Sequence, residues 1–324
     1  MKNVLLELSG VGATIGRTEI LSDISVTVER GQSVGLVGET GSGKSMACRL
    51  MSGMLRHVGG SIIRGRIEFD GRDVTLLNEK GWRQLRGSRI GYIAQNSLSS
   101  LNPVMTVGKQ LREAIHLQRG RALPWTDECQ LLKMVEMPRP EIVAESYPHQ
   151  LSGGMRQRVA IALGIAGAPD LLIADEPTTA LDVTIQREIL DLLSTLTASS
   201  GMSLVLVSHD LSLVAEVCEY VNVLYAGTTV EFGSVREVMG TPAHAYTEAL
   251  LGAMPGLATA GHPLTAIPGA PPDPRAWPEG CRFAPRCEFA QPLCRAGLPH
   301  LIEVTADHQS RCVRMEEKPW MKAP

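Results

Sequence analysis

"GETGSGKS" (Gly38–Ser45) stands between "QSVGLV" (32–37) and "KSMACRLMSGML" (44–55). The first flank is a short apolar run, as a buried strand is. The second has helical spacing. Strand, glycine-rich loop and helix in that order give the G-x-x-x-x-G-K-[ST] pattern the context that a phosphate-binding loop requires. Gly41 and Gly43 let the backbone bend so that successive N–H groups point inward at phosphate oxygens. The positive end of the following helix adds to that field. Gly38, Glu39, Thr40, Gly41, Ser42, Gly43, Lys44 and Ser45 are therefore the expected nucleotide cradle, with Lys44 on the outer phosphates and the Ser45 hydroxyl offered to Mg²⁺. A chance glycine turn would not come with both flanks.

"LLIADEP" (171–177) supplies a second half. Asp175, ending an apolar run, is expected to hold Mg²⁺ through its water shell, and Glu176 to orient and deprotonate the attacking water. Two acids at a strand end are ordinarily just solvated; beside a phosphate loop they read as chemistry.

Around these motifs, residues 3–9 and 22–29 alternate apolar and polar, "GRIEFDG" (65–71) reads as a strand closed by a turn, and "SLVLVSHD" (203–210) as another buried strand. Strands alternating with helices predict a mostly parallel sheet covered on both faces. From about 96 to 165 the pattern is helical, broken by Pro103, Pro124, Pro138, Pro140 and Pro148. "IPGAPPDPRAWPEG" (267–280) carries Pro268, Pro271, Pro272, Pro274 and Pro278, too many for helix or central strand. The expected organisation is a nucleotide-binding domain over 1–240, with a helical subdomain at about 96–165, and a loop-rich extension over 241–324.

A net charge of −3 and 4% aromatics argue against binding nucleic acid by bulk charge or stacking. No apolar run reaches the ~18 residues that span a bilayer. "MKNVLLELSG" lacks the features of a secretory signal. A cytoplasmic location follows as an expectation, and with it reduced cysteines that favour metal over disulfide. Cys48, Cys129 and Cys218 are isolated and read as small buried apolar residues.

"LSGGMRQRV" (151–159) is a second anion-binding helix start, a serine and glycine pair opening a basic helix. One triphosphate does not need two such starts in one chain. The pattern resembles the signature of ABC transporter ATPases, in which the signature of one subunit covers the ATP held by the phosphate loop of another. The resemblance covers roughly residues 4 to 240. It implies a P-loop NTPase (RecA-like) α/β core with an antiparallel β subdomain and an inserted helical subdomain. It also implies roles for Gln95 in "YIAQNS" as the glutamine at the Mg²⁺ and water, Ser152, Gly153 and Gly154 on the partner's nucleotide, Asp182 in "TTALD" at the subunit junction, and His209 on the γ-phosphate. His209 lies 33 residues beyond Glu176, the family's spacing. The family stacks adenine on an aromatic before the phosphate loop; the aligned residue here is Ile15, and no Phe, Tyr or Trp precedes Phe69. Weaker base selectivity is expected, since stacking is worth ~1–3 kcal/mol.

"SLNPVMTVGKQL" (100–111), "HAYTEALLGAMP" (244–255), "IPGAPPDP" (267–274) and "CRFAPRC" (281–287) narrow the resemblance to the oligopeptide, dipeptide and nickel importer ATPases. That resemblance implies ATP and Mg²⁺, a second and related ATPase subunit, two membrane permeases, an extracytoplasmic binding protein, and a place on the cytoplasmic face of a bacterial inner membrane. Nickel or a metal chelate is the alternative cargo. A non-transport ABC protein usually has two cassettes or coiled-coil insertions, and an exporter often carries its own membrane span; this sequence has neither.

Cys281, Cys287, Cys294 and Cys312 are separated by five, six and seventeen residues in a segment with few apolar side chains. A Cys₄ set suits zinc or an iron–sulfur cluster, and zinc ligands are typically paired more closely. The resemblance implies a [4Fe–4S] cluster; zinc and unmetallated thiols are the alternatives.

Overall fold

The computed structural model describes residues 3–95, 100–118, 123–179, 181–253 and 266–322. The stretch directly after Gln95 (96–99), position 180 of "TTALD" and positions 254–255 of "HAYTEALLGAMP" lie outside the described residues. In chain order the strands and α-helices are β1 (Val4–Ile15), β2 (Thr18–Glu29), β3 (Ser33–Val37), α1 (Lys44–Met51), β4 (Gly60–Phe69), β5 (Arg72–Asp73), α2 (Glu79–Leu85), β6 (Ile90–Ile93), α3 (Val107–His116), α4 (Glu128–Met134) and α5 (Pro140–Glu145). They continue with α6 (Gly153–Ile165), β7 (Leu171–Asp175), α7 (Val183–Ser200), β8 (Ser203–Val207), α8 (Leu211–Val217), β9 (Tyr220–Tyr225), β10 (Thr228–Ser234), α9 (Val235–Gly240), α10 (Ala245–Gly252), β11 (Ile302–Thr305) and β12 (His308–Ser310). Two compact units result, one of residues 29–32 and 76–207, the other of 2–28, 33–75 and 208–324.

In the first unit β6, β7 and β8 pair in parallel. Every residue of β7 ("LLIAD") and β8 ("SLVLV") is buried, as parallel strands covered on both faces require. The prolines between 96 and 165 punctuate rather than abolish helix. Pro140 sits in the first turn of α5, where its missing N–H costs nothing. Val107, Leu111, Leu131, Leu132 and Val143 bury the faces on which α3, α4, α5 and α6 meet. Asp182 caps α7 by accepting from the Ile185 N–H, and Gly201 (φ 68°) ends that helix.

In the second unit the strand order is β5-β4-β1-β2-β10-β9-β3. β1 and β4 pair antiparallel from Leu6↔Phe69 to Ile15↔Gly60, with register shifts around Gly12. β3 lies parallel to β9, and β9 returns antiparallel as β10 through a tight turn at Ala226 and Gly227. Leu6, Leu8, Val11, Leu21, Ile24, Ile67 and Phe69 fill the core at 0–2% exposure.

The C-terminal segment belongs to this same unit. β12 adds antiparallel to β10, and β11 adds to β12. Glu231 of β10 is fully buried and its carboxylate accepts from the Ala243 and His244 N–H groups and meets His308 Nε2 at 2.6 Å. Buried charge persists only where it is satisfied in this way. Among the described residues no helix is long and apolar enough to cross a membrane.

Candidate nucleotide-binding site

β3 delivers the chain into the loop, and α1 leaves it at Lys44. Gly38 (φ 147°) and Gly43 (φ 104°) hold conformations open to glycine. Side chains there would also collide: a Cβ on Gly38 would stand 2.2 Å from the Leu224 carbonyl oxygen, and one on Gly43 2.8 Å from Leu21 Cδ2. Lys44 is buried, its Nζ donating to the carbonyls of Gly38 (2.7 Å) and Glu39 (3.0 Å), so the cation is fixed against its own loop. The Ser42 hydroxyl is buried with no protein partner among the described residues, a polar atom in the cradle suited to a phosphate oxygen. Ser45 is the second residue of α1, and Thr40 and Gly41 form the exposed lip of the loop.

In the same unit, the turn after Val207 is tied to β3 by the Ser208 N–H donating to the Leu36 carbonyl. His209 is exposed on that turn, and Asp210 caps α8. Ile15 is half-buried at the end of β1, paired with Gly60.

The other unit groups the acids. Asp175 is 3% exposed at the end of β7 and accepts from the Tyr92 hydroxyl at 3.0 Å. Glu176 follows in the left-handed region (φ 46°), and its Oε2 accepts from Gln95 Nε2 at 2.8 Å and Thr179 Oγ1 at 3.0 Å. A non-glycine residue in that region is uncommon and points to a position held for its side chain.

Ser152 is the N-cap of α6 and accepts from the Met155 N–H. A Cβ on Gly154 would lie 2.9 Å from Ile185 Cγ2, in the first turn of α7, so the starts of α6 and α7 abut. Asp182 and Ser152 are both exposed at those starts. A cavity of about 470 Å³ lined by Trp125, Ile165, Leu196 and Met202 lies at the opposite end of β7 from Asp175.

Four residues in these arrangements carry no sequence expectation: Tyr92 on Asp175, Thr179 on Glu176, and Tyr246 and Arg286 on Glu39. Tyr92 and Thr179 lie within three residues of motif positions, and that proximity was the available signal. Tyr246 and Arg286 are more than 200 residues from Glu39, and no local pattern reveals them.

The four C-terminal cysteines do converge, since Cys281, Cys287, Cys294 and Cys312 line one cavity with His244, Phe289, Arg311 and Trp320. That cavity is only about 20 Å³, room for one water. Among the described residues no group of three or more His, Cys, Asp or Glu could hold a metal ion. Without a metal, burial pushes the Cys281 thiol up to about 12 and the Cys312 thiol up to about 11. The expected [4Fe–4S] or zinc site thus gains donor convergence and nothing more. The proline-stiffened segment has another core, in which Phe283 packs on Tyr225 and Tyr246 at centroid distances of 5.4 and 5.3 Å.

The model described as "ABC transporter" matches residues 21–179, and that described as "Oligopeptide/dipeptide transporter, C-terminal region" matches residues 230–294. The dipeptide transport ATP-binding protein DppD of Escherichia coli is 44% identical over 89% of this chain and 89% of its own. The chain belongs to the ABC transporter ATP-binding family. The oligopeptide transport ATP-binding protein OppD of Salmonella typhimurium is 41% identical over 92% of this chain and 90% of its own. The ATP-binding cassette MJ0796, solved as a dimer in a post-hydrolysis state with ADP and Pi, has a TM-score of 0.62 at 26% identity and covers 72% of this chain and 99% of that one. The P-loop α/β fold expected from the sequence is that of the ABC cassette, and the protein is an ABC ATPase.

Proposed function

We propose that this ABC ATPase powers the import of di- or oligopeptides. One observation carries the cargo assignment: the phosphate loop and "LSGGM" occur in one chain with the oligopeptide/dipeptide transporter C-terminal region over 230–294. Relatives whose names specify dipeptide and oligopeptide transport, at 41–44% identity along about nine-tenths of the chain, support it. Nickel import by the same architecture is the second reading, supported by the family resemblance alone.

In this proposal the domains are the ATPase over 1–240 and the extension over 241–324. The backbone N–H groups of Gly38–Ser45 and the Lys44 ammonium bind the triphosphate. Hard oxygen donors suit Mg²⁺, and Ser45, Asp175 and Gln95 are the residues that would hold it; the ion would neutralise phosphate oxygens. Glu176, held by Gln95 and Thr179, takes the proton of the attacking water, and His209 holds the γ-phosphate. Ser152, Gly153, Gly154 and Asp182 face the nucleotide of a second, related ATPase subunit, and Ile15 stands where adenine would stack. Two permeases and an extracytoplasmic binding protein complete the transporter, which puts the chain at the inner face of the membrane.

A metal on Cys281, Cys287, Cys294 and Cys312, iron–sulfur before zinc, is supported by their shared cavity only. Iron, zinc and sulfide analysis of anaerobically purified protein tests it.

The shared-nucleotide arrangement is tested by light scattering of the Glu176→Gln variant, mixed with its related ATPase subunit, with and without MgATP. ATP-dependent pairing supports it; particles of unchanged mass with both permeases also present sink it.

A further inference from the structure

An acidic side chain inside a triphosphate-binding loop is electrostatically costly, because it repels the ligand that the loop collects. Glu39 is such a residue, and the protein neutralises it from a distant part of the chain. Arg286 Nη1 meets Glu39 Oε2 at 2.7 Å and Arg286 Nη2 meets Oε1 at 3.1 Å, a bidentate pair. The arginine side chain is 5% exposed and the glutamate 25%. The remaining guanidinium donors are also used: Nε donates to the Pro268 carbonyl at 2.7 Å, and Nη1 also reaches the Tyr225 hydroxyl at 3.2 Å.

The same loop residue is held a second time. The Glu39 N–H donates to the Tyr246 hydroxyl at 2.8 Å. Tyr246 and Tyr225 pack on each other at 4.5 Å between centroids, and Phe283 of the extension packs on both. Further along, the Ser42 carbonyl accepts from the Gly227 N–H, and Arg282 Nη1 holds the neighbouring Ala226 carbonyl at 2.6 Å. The segment 282–286 therefore grips the phosphate loop at its start directly and near its end through the β9–β10 turn.

We propose that Arg286 is a positioning residue for ATP binding: it cancels the charge of Glu39 and fixes the first turn of the phosphate loop. This rests on the reading of Gly38–Ser45 as the ATP cradle. It gives the C-terminal extension a task in nucleotide binding that does not depend on any metal.

The test is calorimetric titration of the purified full-length chain with MgATP, in a double-mutant cycle on Arg286→Met and Glu39→Gln. Arg286→Met leaves Glu39 unpaired beside the phosphates and is expected to weaken MgATP about tenfold, or about 1.4 kcal/mol. In the Glu39→Gln background the same change is expected to cost no more than about twofold, because the repulsive charge is already gone. A purely structural role for Arg286 would give the same loss in both backgrounds, and that result overturns the proposal, as does no loss in either. Arg286→Lys keeps the charge without the fork and should fall between wild type and Arg286→Met; it serves as the test if Arg286→Met does not fold, and affinity equal to or below that expected of the methionine variant then counts against the proposal. Failure of the wild-type chain to bind MgATP would instead remove the cradle reading beneath it.

Discussion

Gln95 Nε2 donates to Glu176 Oε2 at 2.8 Å, and Thr179 Oγ1 reaches the same oxygen at 3.0 Å. The carboxylate is thus aimed by two neutral donors from its own unit while its backbone sits at φ 46°. Such an arrangement fixes direction without neutralising charge, which is what a general base needs. Glu176→Gln should cut single-turnover phosphate release by about 10²–10⁴-fold while leaving the MgATP dissociation constant within about threefold. Release at more than about a tenth of the wild-type rate would remove Glu176 from that role.

The Lys44 ammonium is held by the Gly38 and Glu39 carbonyls. Lys44→Ala takes a positive charge from a loop that offers mainly neutral N–H groups. MgATP affinity should fall by about 100-fold, about 2.7 kcal/mol. Equilibrium dialysis with labelled nucleotide checks this, and a loss below about threefold would mean that the triphosphate lies elsewhere.

Tyr92 donates to Asp175 at 3.0 Å. A hydrogen bond to a charged group is worth about 1.5–3 kcal/mol. If it fixes Asp175 for Mg²⁺, Tyr92→Phe should raise the Mg²⁺ concentration for half-maximal ATPase by about tenfold and leave maximal velocity at saturating Mg²⁺ nearly unchanged. A change in velocity alone would assign Tyr92 to the chemical step instead.

Glu231 joins the extension to β10 through His308 and the Ala243 and His244 N–H groups, all fully or almost fully buried. Glu231→Ala strands three donors and should cost about 3–5 kcal/mol in urea unfolding. A loss under about 1 kcal/mol would show that the tail is held mainly by its aromatic packing.

The motifs were legible because each is local: the phosphate loop, "LLIADEP" and "LSGGM" are short runs whose spacing fixes their backbone. The buried strands β3, β7 and β8 were legible for the same reason, as continuous apolar runs. β9 and β10 were not, since "YVNVLY" and "TTVEFGS" mix buried polar residues such as Asn222, Thr229 and Glu231 into a strand and break its pattern. Those polar groups are satisfied by partners far away in sequence: Asn222 Nδ2 reaches the Ser25 carbonyl and Glu231 reaches His308. The grip on Glu39 was hidden likewise, because Arg286 lies 247 positions away. The cysteine spacing did bring four thiols to one small cavity, while the aromatic cluster that packs the extension on Tyr225 and Tyr246 left no local pattern.

The most direct test of the whole account is ATP hydrolysis by this chain assembled with the proposed related ATPase and two permeases in proteoliposomes, measured with and without a peptide-loaded binding protein. Hydrolysis should rise several-fold with the loaded binding protein, accompany peptide uptake, and vanish with Lys44→Ala. Hydrolysis that is indifferent to peptide, or peptide uptake that survives Lys44→Ala, would contradict it.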